Sequence, residues 1–408
     1  MTAPLKKPEI LSPAGNFEKL TFASLYGADA VYFAGEMFGM RASADNFTFE
    51  EMKKGVELLH SNGKKAYLTL NTMPRNNELD LLDSYLDSVG DTGIDAVIVA
   101  DMGVFSKVKE RLPGVDIHIS TQGANMNYLS CRMWHDMGAS RIVLARELSL
   151  DDIAEIRAKT PSTLELEAFV HGAMCVSISG RCLLSEYYLD RDANRGRCAQ
   201  PCRWVYNFSE EKRPEDMLTA ELHPEGTYIL GSKDMNLIAH VKELTAAGID
   251  SLKIEGRMKS AYYTAVVTNC YRIALDSLYS NIDITVNDLQ RELDSVSHRE
   301  YCTGYYFDHP QSEPHLATAP GYIKEKAFLA TVEAYDEESG IALCRQRNKM
   351  VASEEAEIIS PGKIGVSFKP IAMMDEEGNS IESAPHAQML FKLKMPFAVK
   401  RGDIIRGK

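Results

Sequence analysis

The stretch EILSPAGNFEKLTFASLYGADAVYF, from Glu9 to Phe33, sets the pattern of the fold. In it, an apolar run is followed by a turn, an amphipathic segment and a second apolar run. Asn16 stands where a helix N-cap is expected, directly before the segment Phe17–Tyr26. This succession of strand, turn, helix and strand is the βα unit from which parallel sheets are built.

The same rhythm recurs further along the chain. Strands are predicted at Glu9–Ser12, Ala30–Phe33, Ala66–Leu70, Ala96–Ala100, Ile117–Thr121, Ile142–Ala145, Leu164–Val170 and Ser251–Ile254. Helices are predicted at Phe17–Tyr26, Phe49–Ser61, Glu78–Val89, Val104–Arg111, Ser149–Ala158, Leu237–Ala247 and Tyr262–Leu278. Eight βα units that close on themselves predict an α/β fold of the TIM-like (β/α)8 barrel type. An open doubly wound sheet is the alternative, but no GxGxxG motif follows the first strand to support it.

Two further regions differ from the βα units in their sequence pattern. A cysteine-rich insertion, at about residues 171–235, separates the seventh and eighth predicted strands, and Trp204–Phe208 could pair with Tyr228–Leu230 as a hairpin in it. From Gly321 onward, short strands alternate with turns, which predicts a small C-terminal all-β barrel. Its strands are predicted at Ala327–Glu333, Gly340–Gln346, Glu357–Ile359, Met389–Leu393 and Gly402–Ile405. The predicted domains are therefore residues 1–320, a barrel catalytic domain with the insertion, and residues 321–408.

Composition limits the class of protein. Of the 408 residues, 45% are apolar and 25% charged, an ordinary globular mixture. The net charge of −13 argues against binding nucleic acid through bulk charge, but a local groove lined by arginines is compatible with it. The N-terminal residues MTAPLKKPEI lack the apolar run of a signal peptide, and no apolar stretch is long enough to span a membrane. We therefore expect a cytoplasmic protein without membrane contact.

Four of the eight cysteines fall in the segment Glu167–Trp204: Cys175, Cys182, Cys198 and Cys202. Disulfides would conflict with a reducing cytosol. Structural zinc usually takes two short CxxC-like pairs, whereas one pair here is widely spaced. An iron–sulfur cluster requires four thiolates and tolerates irregular spacing, so it is the favoured of these three interpretations. The scattered cysteines are interpreted as buried and inert: Cys131, Cys270, Cys302 and Cys344.

Polar residues follow the predicted strands, where barrel enzymes gather their active sites. Cations and amides dominate among them, which suits an anionic ligand such as a carboxylate or a phosphate. The candidate catalytic residues are His171, Lys253, Glu255 and Arg257. The candidate substrate-binding residues are Arg41, Asn71, Gln122, Arg146, Glu147 and Lys233.

Each candidate also has a purely structural explanation. His171 could hydrogen-bond at its strand end. Glu255 with Arg257, or Arg146 with Glu147, could form an ion pair at the rim. The others could cap a helix or orient a loop: Lys233, Asn71, Gln122 and Arg41.

Several motifs of the sequence resemble those of a known family. The pattern EAFVHGAMC…SGRC at residues 167–182 looks like the signature of the collagenase-like peptidase family numbered thirty-two among those of unassigned mechanism. One subgroup, the prephenate-dependent tRNA uridine hydroxylation proteins, is similar over more segments: ILSPAGN at 10–16, YGADAVYF at 26–33, ARELSLDDI at 145–153, GTYILGSKDM at 226–235 and SLKIEGRMKS at 251–260. The resemblance covers residues 8 to 310 strongly and the C-terminal barrel loosely.

The resemblance implies an activity and a cofactor. Members of the family carry a 4Fe-4S cluster on cysteines of this segment. In this sequence, the resemblance implies that the cluster is held by Cys175, Cys182, Cys198 and Cys202. The subgroup converts the wobble uridine of tRNA to 5-hydroxyuridine without molecular oxygen and depends on prephenate as cosubstrate. Prephenate is a dicarboxylate, which agrees with the cationic side chains that follow the predicted strands. The implied partners are tRNA, a small anionic cosubstrate and, as a candidate, an electron-donor protein.

Two alternatives stay open. Related members hydroxylate ribosomal RNA, and the family's name implies a collagenase-like peptidase. His171 precedes Cys175 by four residues, as a base and thiol nucleophile could. No HExxH or GxSxG motif is present, and a cluster on all four cysteines would leave no nucleophile among them.

Overall fold

The computed structural model describes residues 6–40, 45–175, 182–203, 233–280, 284–307, 323 and 326–408. The chain forms two compact units. The first comprises Met1–Ser24, Ala28–Lys259 and His298–Tyr322, and the second comprises Leu25–Gly27, Ser260–Ser297 and Ile323–Lys408. The domain boundary predicted between residues 320 and 321 stays a prediction. Arg41 and the predicted hairpin of Trp204–Phe208 with Tyr228–Leu230 lie outside the described residues.

The first unit is built on a parallel sheet. Its strands are β1 (Glu9–Pro13), β2 (Ala30–Phe33), β3 (Lys65–Leu70), β4 (Ala96–Val99), β5 (Asp116–Ile119), β6 (Arg141–Val143), β7 (Glu165–Ala173), β8 (Asp234–Asn236), β9 (Ser251–Ile254) and β10 (Tyr301–Cys302). Strands β1 to β7 pair in chain order, and β9 pairs in parallel with both β7 and β1. These eight strands therefore close into a barrel, which confirms the predicted TIM-like fold.

Two short strands extend the sheet beyond the barrel. Strand β8 pairs antiparallel with the end of β7, with His171 opposite Asn236, and β10 pairs with β8. The sequence did not predict them, because three and two residues are too few to show a periodic apolar pattern.

Helices follow the strands. In the first unit they are α1 (Phe17–Leu25), α2 (Phe49–Ser61), α3 (Asn76–Leu79), α4 (Leu82–Gly90), α5 (Met102–Arg111), α6 (Tyr128–Met137), α7 (Leu150–Lys159), α8 (Leu184–Leu189) and α9 (Val241–Ala246), the last residue of α1 falling in the second unit. Asn16 caps α1 by accepting a hydrogen bond from the backbone of Lys19 at 3.1 Å. Ser149 and Asp152 form the predicted capping box of α7.

Two helices differ from the expectation. The predicted helix Glu78–Val89 is divided into α3 and α4. Helix α6 was not assigned from the sequence, because Cys131 is its one buried residue and it lacks the apolar stripe of a core-facing helix. None of the described helices is both long and apolar enough to cross a membrane.

The second unit combines two helices, α10 (Ala261–Ser277) and α11 (Val286–Asp294), with a β domain. Its strands are β11 (Phe328–Asp336), β12 (Ile341–Gln346), β13 (Met350–Val351), β14 (Ala356–Ile359), β15 (Val366–Phe368), β16 (Ala372–Met374), β17 (Ser383–Ala384), β18 (Leu390–Lys394) and β19 (Ile404–Gly407). Seven of them form an antiparallel sheet in the order β15-β14-β19-β11-β12-β18-β16, and β13 pairs with β17. All five predicted strands are present, which confirms the small C-terminal β domain.

A buried arginine joins the sheet of the second unit to its helices. The guanidinium of Arg406 on β19 lies 2.8 Å from Glu292 on α11 and 2.7 Å from Glu357 on β14. It also donates a 2.8 Å hydrogen bond to Ser295. Because Arg406 is completely buried, these partners replace the water that a guanidinium requires.

Candidate functional site

A cavity of about 150 Å³ lies at the C-terminal ends of the barrel strands. Its polar lining comes from β3, from the segments after β5 and β6, from β9 with the residues behind it, and from the cysteine-rich segment. The polar and cysteine residues that line it are Thr69, Asn71, Ser120, Thr121, Gln122, Arg146, Asn194, Gln200, Lys253, Glu255, Arg257, Cys175, Cys182, Cys198 and Cys202. This is the end of a TIM barrel at which enzymes place their chemistry.

The structure therefore brings ten of the predicted site residues to one cavity: Asn71, Gln122, Arg146, Lys253, Glu255, Arg257 and the four cysteines. The described lining of the cavity does not include His171, Glu147 or Lys233. Lys233 instead lies 3.4 Å from the carboxylate of Glu300. The functional roles assigned to all of these residues stay predictions.

Arg257 is held at the rim by two acceptors. Its Nη1 donates to Oγ1 of Thr69 at 3.3 Å, and its Nη2 donates to the carbonyl of Met40. Lys19 donates to the carbonyl of Arg257 at 3.2 Å, which anchors the backbone. The side chain is buried at a fixed position, so its charge is available to a ligand without a large loss of conformational freedom.

Arg146 and Glu255 form an ion pair, with Nη2 and Oε2 separated by 3.7 Å. This ion pair joins residues that follow β6 and β9, the two strands that flank β7. Arg146 also donates to the carbonyl of Ala173 at 2.8 Å, and its guanidinium carbon lies 3.9 Å from the centre of the Phe169 ring. Its Nε is buried and has no hydrogen-bond partner among the described residues.

Gly172 allows β7 to approach the residues that follow β9. Its φ is +104°, and a Cβ there would lie 2.4 Å from the carbonyl oxygen of Glu255. The amide of Glu255 donates to the carbonyl of His171 at 2.9 Å. A side chain at position 172 would therefore displace Glu255 from the cavity wall.

Lys253 places a buried cation in the cavity wall. Its Nζ lies 2.6 Å from Oε1 of Glu167, and 4.6 Å from the centre of the Tyr32 ring. Burial lowers the pKa of Lys253, an effect that the carboxylates of Glu167 and Glu255 oppose. Burial raises the pKa of Glu167, but the charges of Lys253 and Arg141 outweigh it and hold that pKa below its usual value.

The ion pair continues toward the N-terminal end of the barrel. Arg141 on β6 lies 2.9 Å from Glu167, 2.7 Å from Glu165 and 2.7 Å from Glu9. Lys253 is thus the cavity end of a connected network of charges inside the barrel. The sequence interpretation missed this network, although the alternation of Glu165 and Glu167 in β7 directs both to one side of the strand.

The side-chain amides of Asn71 and Gln122 also line the cavity. Oδ1 of Asn71 accepts from the backbone of Met40 at 3.3 Å, and its Nδ2 donates to Oγ of Ser120 at 3.4 Å. Nε2 of Gln122 lies 3.5 Å from the sulfur of Met40. Oε1 of Gln122 is buried and has no hydrogen-bond partner among the described residues. A buried acceptor without a hydrogen bond lowers the free energy of unfolding by roughly 1–3 kcal/mol, and a ligand that donates to it would remove this loss.

His171 is buried at the end of β7, with its ring 5.4 Å from that of Tyr301. Burial lowers the pKa of His171 to about 3, and the charges of Lys259 and His298 act in the same direction. The imidazole is therefore neutral at physiological pH. This does not suit a thiolate–imidazolium pair with Cys175.

The cysteine-rich segment is fastened to the barrel. Arg195 is ion-paired with Glu78 at the end of α3, and Arg75 lies 3.8 Å from Asp192. The backbone of Met73 also donates to the carbonyl of Asn194 at 3.2 Å. These contacts hold the described part of the segment against the loop that follows β3.

Local hydrogen bonds position the cysteines within the segment. Asn194 donates to the carbonyl of Cys182 at 3.3 Å, and the backbone of Gln200 donates to the sulfur of Cys198 at 3.3 Å. None of the eight cysteines, all of which the structure describes, takes part in a disulfide. No three histidine, cysteine, aspartate or glutamate side chains already stand at metal-ligand distances in the described part of the chain. Four thiols nevertheless line the cavity, which is the donor type and number that an iron–sulfur cluster uses.

The sequence matches two family models. That of Peptidase family U32 matches residues 15–315, and that of the Peptidase family U32 C-terminal domain matches residues 324–406. The protein named tRNA hydroxylation protein P1 of Bacillus subtilis (strain 168) is 35% identical over 403 residues, covering 98% of this chain and 95% of that protein.

Two other relatives carry different names. A protein of Porphyromonas gingivalis (strain ATCC BAA-308 / W83) named Collagenase is 29% identical and covers 94% of this chain and 93% of its own. The 23S rRNA 5-hydroxycytidine C2501 synthase of Escherichia coli (strain K12) is 37% identical over 278 residues, covering 68% of this chain and 41% of its own.

Proposed function

The chain belongs to peptidase family U32, as the resemblance predicted, and from that premise we propose that it is an RNA hydroxylase acting on tRNA. The observation that carries the proposal is the cavity at the C-terminal end of the barrel, which joins four thiols to cations and to an unsatisfied amide oxygen. The Bacillus subtilis relative, which is matched over 98% of this chain, bears a tRNA hydroxylation name. The proposed location is the cytoplasm, because the proposed substrate, tRNA, is found there.

The proposed target is the wobble uridine, and the proposed product is 5-hydroxyuridine. Oε1 of Gln122 supports a uracil, because the N3–H of uracil can donate to it. Cytosine carries an acceptor at N3, which would face the amide oxygen without a hydrogen. A base in this position would complete the hydrogen bonding of a buried side chain.

The proposed cosubstrate is prephenate, a dicarboxylate. Arg146, Lys253 and Arg257 bring three cationic side chains to the same small cavity. The buried Nε of Arg146 is a donor that a carboxylate can occupy. Since Arg257 is fixed by Thr69 and Met40, it binds an anion with little loss of conformational freedom.

The proposed cofactor is a 4Fe-4S cluster held by Cys175, Cys182, Cys198 and Cys202. When bound, it would supply electron transfer: the conversion of C5–H to C5–OH removes two electrons from the base, so a redox partner protein would have to accept them. Glu255, whose carboxylate lies 3.7 Å from Arg146, is the proposed acceptor of the proton from C5 of the base. The rings of Tyr32 and Phe169, whose centres lie 4.6 Å and 5.4 Å from Nζ of Lys253, give this cation an aromatic surrounding.

Nucleoside mass spectrometry tests the activity. We expect tRNA from cells that lack this protein to contain no 5-hydroxyuridine, and the wild-type gene to restore it. Persistence of the nucleoside at its normal level would overturn the proposal. The same measurement on ribosomal RNA separates the alternative of a ribosomal RNA hydroxylase.

A collagenase-like peptidase is the second candidate, favoured by the name of the Porphyromonas gingivalis relative. The lowered pKa of His171, about 3, counts against it, because so weak a base would not take the proton of a thiol. Incubation with gelatin tests it: cleavage that is abolished by Cys175→Ser would support a thiol peptidase. Absence of cleavage by the anaerobically purified protein would exclude one.

A further inference from the structure

Helix α8 carries a cluster of exposed large apolar side chains, here called the rim patch: Leu183, Tyr187, Tyr188 and Leu189. The side chain of Tyr187 is 83% exposed and that of Tyr188 is 44% exposed. The two rings meet edge to face, with centroids 5.3 Å apart. Single exposed apolar residues are normal on a protein surface, but four within seven positions indicate a binding surface.

The rim patch adjoins the cavity. Cys182, one residue before the patch, lines the cavity, and so do Asn194 and Cys198 on the other side of α8. The backbone of Ala199 donates to Oγ of the buried Ser185 at 3.0 Å, which fixes the helix against the segment that follows it. The rim patch therefore lies between two parts of the chain that line the cavity, Cys182 on one side and Asn194 with Cys198 on the other.

Cationic side chains lie in the same segment. The side chain of Arg197 is exposed, and Arg191 donates from Nε to the carbonyl of Arg197 at 3.0 Å. The acidic Asp192 is occupied by capping the backbone of Asn194 at 2.9 Å. Exposed aromatic rings beside arginines are the composition of surfaces that bind single-stranded nucleic acid, where rings stack on bases and guanidinium groups contact phosphates.

We propose that the rim patch binds the unpaired nucleotides that flank the target base of the RNA substrate. Tyr187 is the principal stacking residue, and Arg197 contacts the phosphate backbone. This inference rests on the proposed function. A base that enters the cavity loses the stacking on its neighbours in the loop, and the tyrosine rings supply a replacement surface for those neighbours. The rim patch thereby gives a net-acidic protein a local RNA contact.

Fluorescence anisotropy of the full-length protein with a fluorescein-labelled anticodon stem–loop RNA, unmodified at the wobble uridine, tests the inference. Tyr187→Ala should weaken the Kd roughly 5- to 150-fold, the range of one base–aromatic stacking contact. Tyr187→Trp should retain the wild-type Kd, whereas Tyr187→Leu should bind as weakly as the alanine variant, because leucine keeps the apolar surface but not the ring.

Two further variants complete the comparison. Arg197→Ala should reduce the slope of log Kd against log salt by about one, as the loss of one phosphate contact requires. Met133→Ala, which removes a 58% exposed apolar side chain from α6, should leave the Kd unchanged.

The outcomes distinguish the two proposals. If the wild-type protein does not bind the RNA, tRNA as substrate is wrong and the proposed function fails. If the wild type binds and Tyr187→Ala binds equally well, the rim-patch inference alone is overturned. If Tyr187→Leu binds the RNA as tightly as the wild type, the ring of Tyr187 does not stack on a base, and the proposed stacking contact is overturned.

Discussion

Lys253 and Glu167 lie 2.6 Å apart on neighbouring barrel strands, and both are buried. Glu167 in turn contacts Arg141, so the cation in the cavity wall is stabilised by a network that reaches the other end of the barrel. Because burial alone disfavours a charged lysine, the carboxylate is what keeps Lys253 available as a cation.

Glu167→Gln should therefore shift the pH dependence of hydroxylation. Removal of the carboxylate lowers the pKa of Lys253 further, so the lysine loses its proton at a lower pH. The basic limb of the rate profile should move to lower pH, with activity partly recovered in more acidic buffer. Glu165→Gln, which removes a partner of Arg141 but not of Lys253, serves as control. An unshifted profile would show that the charge of Lys253 is not used.

Gln122→Leu should reduce the preference for uridine. The leucine cannot accept from N3–H of uracil and does not oppose N3 of cytosine, so the ratio of kcat/KM for uridine over cytidine should fall roughly 10-fold or more. The measurement compares two stem–loop RNAs that differ only at the target base. A ratio equal to that of the wild type would remove Gln122 from base recognition.

Arg257→Ala should weaken the anionic cosubstrate more than the RNA. Hydrogen bonds to a charged group contribute about 1.5–3 kcal/mol, so the KM for prephenate should rise roughly 10- to 100-fold. The Kd for the stem–loop RNA should change little. Arg257→Lys should give an intermediate KM, because it retains the charge but not the two-pronged geometry. Equal losses for both ligands would contradict this assignment.

Cys182→Ala should abolish both bound iron and hydroxylation. The wild-type protein, purified without oxygen, should be brown and contain about four irons per chain, as a cluster on four thiolates requires. Cys302→Ala is the matched control, since Cys302 is also a partly buried free thiol but does not line the cavity. A colourless, iron-free wild-type preparation would exclude the cluster, and loss of iron in both variants would point to general destabilisation.

Arg406→Ala should destabilise the second unit by roughly 3–5 kcal/mol, because it leaves the buried carboxylate of Glu292 without its partner. Urea denaturation monitored by circular dichroism gives the free energy of unfolding. Arg345→Ala, which removes a half-exposed partner of Glu333 in the same unit, should cost less than about 1 kcal/mol. Similar losses in the two variants would show that burial of the Arg406 network is not what stabilises the unit.

The bounds of the predicted barrel strands differ from the observed ones by at most three residues. Ala30–Phe33 and Ser251–Ile254 were predicted with their exact bounds. Apolar runs mark such strands because both of their faces are covered. Strand β8 and helix α6 were not found, the first because it is three residues long and the second because it buries so little.

The candidate site was predicted in part. The rule that functional residues follow barrel strands selected Asn71, Gln122, Arg146 and Arg257, and all four line the cavity. The same rule selected His171, and Lys233 was selected because it follows the predicted hairpin; neither belongs to the described lining. Side-chain direction decides this difference, and the position of a residue in the sequence does not specify it.

The sequence by itself determined the order of strands and helices, the number of barrel units and the four-cysteine segment, because local apolar periodicity and residue type carry that information. Only the tertiary structure decided which charges meet. Lys253 pairs with Glu167, 86 positions away, and Arg146 pairs with Glu255. The physical reason is barrel closure: β9 pairs with β7, so side chains remote in sequence share one small, water-poor space in which each charge requires a partner.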